Sequence, residues 1–140
     1  MELIFEVKGK PLGKQRPRIT RQGIAYTPAK TVSYENLIKL TFQNLFPDHT
    51  PIEGIVEVNI KAIFDVPTSY SKKKTKDLLD NHRLYDKKPD LDNISKIILD
   101  SLNGIAYKDD KQVALLSINK EYGAEPKVIV AIKEVKEWMK

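Results

Sequence analysis

Between Leu91 and Asn103 the apolar residues recur every three or four positions, and this pattern narrows the possible folds most. At ~100° per residue, Ile94, Ile97, Ile98 and Leu102 fall on one side of a helix, with Leu91 near them. Asp92, Lys96, Asp100 and Asn103 fall on the opposite side, within a sector roughly 80° wide. A helix with one apolar stripe must bury it against another layer. Strands elsewhere in the chain supply that layer. Leu3, Phe5 and Val7 alternate with Glu2, Ile4, Glu6 and Lys8 over residues 2–8. Ile55, Val56, Val58, Ile60, Ala62 and Phe64 mostly alternate over residues 53–66, and Pro67 ends the run.

The remaining elements follow from breakers and caps. Gly9, Pro11, Gly13, Pro17 and Gly23 predict irregular structure over residues 9–23. A helix is expected from about Thr31 to Phe46, capped by Thr31 or Ser33, stopped by Pro47, with Leu37, Leu40, Phe42 and Leu45 as its apolar groups. A short helix can begin at Ser71, and Gly104 is placed to end the helix that starts near Leu91. A short strand Ile105-Ala106-Tyr107, a turn at Lys108–Lys111 and a strand over residues 112–122 come next. After a turn at Gly123–Pro126, the last strand begins at Val128 and runs towards Val135 and Trp138. The order β–loop–α–β–(α)–α–β–β predicts an α+β fold, a mixed sheet flanked by helices, in one domain over residues 1–140. The order in which the strands pair is not readable from this pattern.

Composition excludes some chemistry. Without cysteine there is no disulfide, thiolate zinc site or cysteine nucleophile. No apolar run approaches the ~20 residues of a membrane helix, and Glu2 and Glu6 stand where a secretory signal would carry basic residues. A soluble, cytoplasmic protein with no membrane partner is expected. The net charge is +5, but it is unevenly spread. Lys8, Lys10, Lys14, Arg16, Arg18, Arg21 and Lys30 lie between Val7 and Tyr34 with no acid among them, so the rest of the chain is net negative. Such a block suits a polyanion. Lys14, Arg16 and Arg18 alternate along an extended stretch and can face DNA phosphates together, whereas Arg21 and Lys30 read as solvated. Lys72–Lys74 fit either DNA or a solvated face.

The acidic residues point to a site. Asp90 stands two residues before Asp92, in a segment extended by Pro89. Residues i and i+2 of an extended stretch project to one side. Two adjacent carboxylates repel each other, and a hard divalent cation such as Mg²⁺ reverses that cost. Asp92 can alternatively serve as a helix N-cap, Asp109 and Asp110 as ordinary turn residues, and Lys96 as a partner of Asp92 or Asp100. If the hairpin after the helix folds back, one of Asp109 and Asp110 completes a three-carboxylate cluster. Lys96, one helical turn after Asp92, can then offset charge on a phosphate. Asp100 can orient Lys96 or accept hydrogen bonds beside the metal ligands.

Taken together, Lys88-Pro89-Asp90-Leu91-Asp92-Asn93, Lys96, Asp100-Ser101-Leu102-Asn103-Gly104 and Asp109-Asp110-Lys111-Gln112-Val113 resemble the RusA family of Holliday junction resolvases of bacteria and their phages. Gly9-Lys10-Pro11, Lys14-Gln15-Arg16-Pro17-Arg18 and Tyr26-Thr27-Pro28 extend the resemblance towards the N-terminus, while residues 66–87 match little. The resemblance implies a RusA-like, intertwined homodimer that cuts four-way DNA junctions with Mg²⁺ or Mn²⁺ in recombination and repair, in a host or prophage setting. It implies Asp90, Asp92 and Asp110 as metal-site carboxylates and Lys96 as an essential lysine, with Asp100 and Asp109 in support. The choice between Asp109 and Asp110, and between one ion and two, stays open. Two other classes fit parts of the sequence. A metal-dependent nucleotide phosphohydrolase would use the acids without needing the basic block. A nonenzymatic DNA-binding protein would use the acids only as caps and turns.

Overall fold

The computed structural model describes residues 2–136, so Trp138 lies outside the described residues. Along the chain come β1 (Glu2–Lys8), β2 (Arg18–Ile19), β3 (Ala25–Tyr26), α1 (Ala29–Leu45), β4 (Ile55–Phe64), α2 (Lys72–Asp80), α3 (Leu91–Ser101), a 3₁₀ turn (Asp110–Gln112), β5 (Val113–Tyr122) and β6 (Lys127–Val135). The main sheet has the order β1-β6-β4-β5. β6 pairs antiparallel with β1 and with β4, whereas β5 pairs parallel with β4, so the sheet is mixed. The architecture is therefore α+β in a single domain, as the element order predicts. No helix among the described residues is long and apolar enough to cross a membrane.

Alternation explains the sheet's buried face. Leu3, Phe5 and Val7 of β1, Val56 to Phe64 at every second position of β4, and Val128, Val130 and Ile132 of β6 are all buried. α1 and α3 cover that face. Ile94, Ile97, Ile98 and Leu102 of α3 are fully buried, as the spacing requires. Burying each such side chain stabilises the fold by roughly 1.5–3 kcal/mol. α3 stops where Gly104 takes a positive φ of 73°, a backbone conformation that glycine adopts without a Cβ penalty.

Four expectations need correction. α1 starts at Ala29 rather than Thr31, with Pro28 at the N-cap position and no side-chain cap. The fixed φ of proline suits it to the entry of a helix. Thr31 is therefore inside the helix and buried, where its hydroxyl accepts from the Gln15 amide. The buried face of α1 is Thr31, Tyr34, Ile38 and Phe42, while Leu37, Leu40 and Leu45 are exposed. Phe42 is fixed by edge-on contact with Phe5 at 5.4 Å and by Phe46 at 5.0 Å. Ile105-Ala106-Tyr107 is not a strand. The amides of Ile105 and Ala106 both donate to the Leu102 carbonyl, and the backbone of Tyr107 makes isolated bridges to Ile52 and Asn103 rather than a ladder. Residues 9–23 are not wholly irregular either, since β2 pairs with β3 in a small ribbon that turns through Gly23.

Candidate functional site

The basic loop lies against the start of α3. The Lys14 amide donates to the Asn93 carbonyl at 2.8 Å. Gly13 sits so close that a Cβ there would lie 2.9 Å from Asn93 Cβ and 3.0 Å from Pro89 Cβ. Between loop and helix lies a cleft of about 760 Å³, lined by Lys10, Arg16, Arg18, Lys88, Asp90 and Asp92 among others. One concavity thus holds both acids of the Asp-Leu-Asp motif together with Arg16 and Arg18 of the loop. Lys30, expected to be solvated, also lines it.

Asp90 and Asp92 share this cleft for a reason other than a common extended strand. Asp90 occupies the N-cap position of α3 with an extended backbone, but its side chain makes no capping bond. Asp92 is already in the first helical turn, where Oδ1 accepts from the Asn93 amide. The capping position expected for Asp92 therefore belongs to Asp90. Both residues are exposed. At a helix N-terminus a carboxylate is favoured by the helix dipole, which eases the repulsion between them.

The second acidic segment has a division of labour. The Asp109 side chain accepts from the Lys111 amide at 2.9 Å, and the Gln112 side chain accepts from the Asp109 amide at 2.8 Å. This reciprocal capping box fixes the 3₁₀ turn. The Gln112 amide group also donates to the carbonyls of Ile52 and Gly54, tying the turn to the chain entering β4. Asp109 is thus committed to the backbone. The Asp110 carboxylate is not, while its amide donates to Asn103 Oδ1 at 2.7 Å. Burial, a hydrogen bond that the protonated Asp110 carboxyl donates to Asp109 and the charges of Asp109 and Asp100 push the Asp110 carboxyl above its usual range. Asp110 and Asp100 therefore share one electrostatic neighbourhood.

Lys14 departs from expectation. Its ammonium sits 2.6 Å from Glu35 of α1 and 3.4 Å from Asp100 of α3. Burial alone would lower its pKa, but both carboxylates outweigh that effect and hold it above the ordinary lysine value. Lys14 lines the cleft with Arg16 and Arg18, and its ammonium also cross-links loop, α1 and α3. Asp100 takes Lys14 as its partner rather than Lys96. Among the described residues Lys96 forms no ion pair, and it is exposed one turn after Asp92. Glu35 and Gly13 are site residues that sequence reasoning missed. The Lys14–Glu35 pair spans 21 positions, and no local pattern announces it.

The available donors are carboxylate oxygens, with no thiolate in the chain. That chemistry fits a hard divalent cation, and the carboxylates of Asp109 and Asp100 beside Asp110 add negative charge that a cation would neutralise. Among the described residues, however, no three His, Cys, Asp or Glu side chains stand together as a ready cage. Asp90 and Asp92 share the cleft, whereas Asp110 is grouped with Asp100 and Asp109.

The direction of the Asp110 shift gives a stability prediction. A carboxyl raised in the fold stabilises it as pH falls through the folded pKa and costs stability above that pH. Asp110→Asn should therefore raise Tm at neutral pH, with the gain shrinking in acid. Thermal melts across pH check this, and an unchanged or lower neutral Tm would contradict it.

Comparison with known proteins shows the family. A family model described as "Endodeoxyribonuclease RusA" matches residues 8–133. A protein of Bacillus subtilis (strain 168), named "Uncharacterized protein YqaN", is 38% identical over 136 residues, covering 94% of this chain and 95% of the relative.

Proposed function

The chain belongs to the RusA endodeoxyribonuclease family, and from that membership we propose that it resolves four-way DNA junctions by paired, symmetric nicks that require a divalent metal. The observation that carries this reading is the cleft in which Arg16 and Arg18 lie opposite Asp90 and Asp92. A nucleotide hydrolase has no need of a basic wall beside its acids. A nonenzymatic binder has no need of Asp90 and Asp92 exposed in the same cleft.

Asp90, Asp92 and Asp110 are the proposed carboxylates for Mg²⁺, with Mn²⁺ as a substitute. Mg²⁺ commonly takes one or two carboxylates plus substrate phosphates and waters, so the lack of a ready three-residue cage is compatible with a site that DNA completes. Such an ion supplies a water of lowered pKa and polarises the phosphoryl group. Arg16 and Arg18, with Lys10, Lys30 and Lys88, hold backbone phosphates and so fix where the scissile bond lies. Lys96, exposed beside Asp92, offsets negative charge that builds on the phosphoryl oxygens. Asp109 and Asp100 act at one remove, the first by setting the turn that presents Asp110, the second by anchoring Lys14 against α3.

Two symmetric cuts need two sites, which a twofold homodimer provides. The outer strand β5 supports this reading. In the main sheet it pairs with β4, and residues 83–85 meet its C-terminal end at Lys120–Tyr122, while Leu115 and Leu116 in its N-terminal half are exposed at 47% and 45%. An exposed apolar edge segment of this kind offers a surface on which another chain can pair. We place the activity in DNA recombination and repair in the bacterial cytoplasm, a reading that rests on the family.

The test is substrate choice. With Mg²⁺, the protein is expected to cut a synthetic four-way junction and to leave a matched linear duplex and free nucleotides intact. Hydrolysis of nucleotides without junction cutting would favour the phosphohydrolase. Junction binding without cutting in either Mg²⁺ or Mn²⁺ would favour a binder.

A further inference from the structure

Beside the acidic cleft is a second cavity, of about 290 Å³, lined by Tyr70, Tyr85 and Tyr122 together with Lys10, Lys87 and Asp65. Its aromatic walls are held in place. Phe64, itself buried, stacks flat on Tyr85 with centroids 3.8 Å apart and planes 4° apart. Tyr122 meets Tyr85 at 69° and 5.2 Å. The Lys87 ammonium donates to the Tyr70 hydroxyl at 2.9 Å and to the Tyr122 hydroxyl at 3.4 Å. Lys74 lies 4.0 Å from the centre of the Tyr70 ring.

The two cavities are contiguous. Lys10 lines both. The segment Lys87-Lys88-Pro89 passes from the wall of one to the wall of the other. Lys120 pins that segment by donating to the carbonyls of Lys87 at 2.6 Å and Pro89 at 2.9 Å. A polymer whose phosphates lie in the first cavity can therefore place an adjoining group in the second.

The chemistry of the lining selects that group. Aromatic faces stack on bases of any sequence. Ammonium groups donate to ring nitrogens and carbonyls, and the Asp65 carboxylate accepts from exocyclic amines or, in thymine, from the ring N3–H. A phosphate alone would gain nothing from three rings and would be repelled by Asp65. The volume is at the small end of ligand cavities, suited to one base and not to a base pair. We propose that this cavity receives a single unpaired nucleobase of the DNA whose backbone occupies the acidic cleft. The occupant has to be unpaired because a paired base is held within the duplex stack, and branch points are where pairing is interrupted. The proposal rests on the reading of the chain as a nuclease of branched DNA.

The experiment compares binding of two four-way junctions in EDTA, which prevents cutting. One carries a single unpaired thymidine at the branch point; the other carries an abasic residue there. By fluorescence anisotropy the wild type should bind the thymidine junction about ten-fold more tightly. Tyr70→Ala should erase that preference, and Tyr70→Phe, which keeps the ring, should retain it. Equal wild-type affinities would overturn the proposal while leaving the nuclease reading intact. So would a Tyr70→Ala loss that is the same for both junctions, which would assign the cavity to the backbone. No binding to either junction would overturn the nuclease reading, and this proposal with it.

Discussion

Asp90→Asn should leave junction binding nearly unchanged and reduce cutting by about a thousandfold. The substitution keeps size and shape but removes the charge. Asp90 is exposed in the cleft, and its side chain makes no capping bond, so the helix loses little when the charge goes. Metal-assisted charge stabilisation contributes several kcal/mol to such reactions, and each ~1.4 kcal/mol is tenfold in rate. Single-turnover cleavage and anisotropy on the same junction separate the two effects. Cutting within tenfold of wild type would remove Asp90 from the chemistry. A matching loss of binding and cutting would make it a binding residue instead.

Gly13→Ala should damage the site from the other wall. The added Cβ would lie 2.9 Å from Asn93 Cβ and 3.0 Å from Pro89 Cβ, both close to the α3 backbone rather than at the end of a flexible chain. Overpacking of this kind costs about 1–3 kcal/mol. The loop has to lift away, which lengthens the bond from the Lys14 amide to the Asn93 carbonyl and disturbs the Lys14 contacts with Glu35 and Asp100. Arg16 and Arg18 then lose their position opposite Asp90 and Asp92. Junction affinity should fall about five- to a hundredfold, the equivalent of that cost, with a lower Tm. If affinity and Tm both stay at wild-type values, the loop does not depend on this contact for its place.

What the sequence could reveal followed from periodicity. α3 was legible because Ile94, Ile97, Ile98 and Leu102 leave only one side to bury. β1 and β4 were legible because their alternation matches a half-buried strand. α1 was misread because it is apolar on more than one side, and spacing cannot choose Tyr34 and Ile38 over Leu37 and Leu40. That choice is made by Phe5 and Phe46 around Phe42, which tertiary packing supplies. Ile105-Ala106-Tyr107 has strand-like residues, yet Leu102 and Gly104 draw it into a turn.

The site was legible in the same uneven way. Asp90 and Asp92 stood out as close in sequence, and the cleft contains both, but their proximity comes from a helix start and not from an extended strand. Asp109 and Asp110 differ in local hydrogen bonding, since Asp109 Oδ1 accepts from the Lys111 amide and the Asp109 amide donates to Gln112, whereas no backbone amide engages the Asp110 carboxylate, which favours Asp110 in the proposed metal site. Neither the parallel pairing of β4 with β5 nor the bridge from Lys14 to Glu35 and Asp100 has a local signature. Both join segments far apart in the chain.

The central claim is most directly tested by mapping strand breaks on a four-way junction whose arms are labelled one strand at a time. In Mg²⁺ the account predicts two nicks per junction, at symmetry-related positions on opposing strands near the branch point, yielding two linear duplexes. An intact junction in both Mg²⁺ and Mn²⁺, or breaks scattered without symmetry, would contradict it.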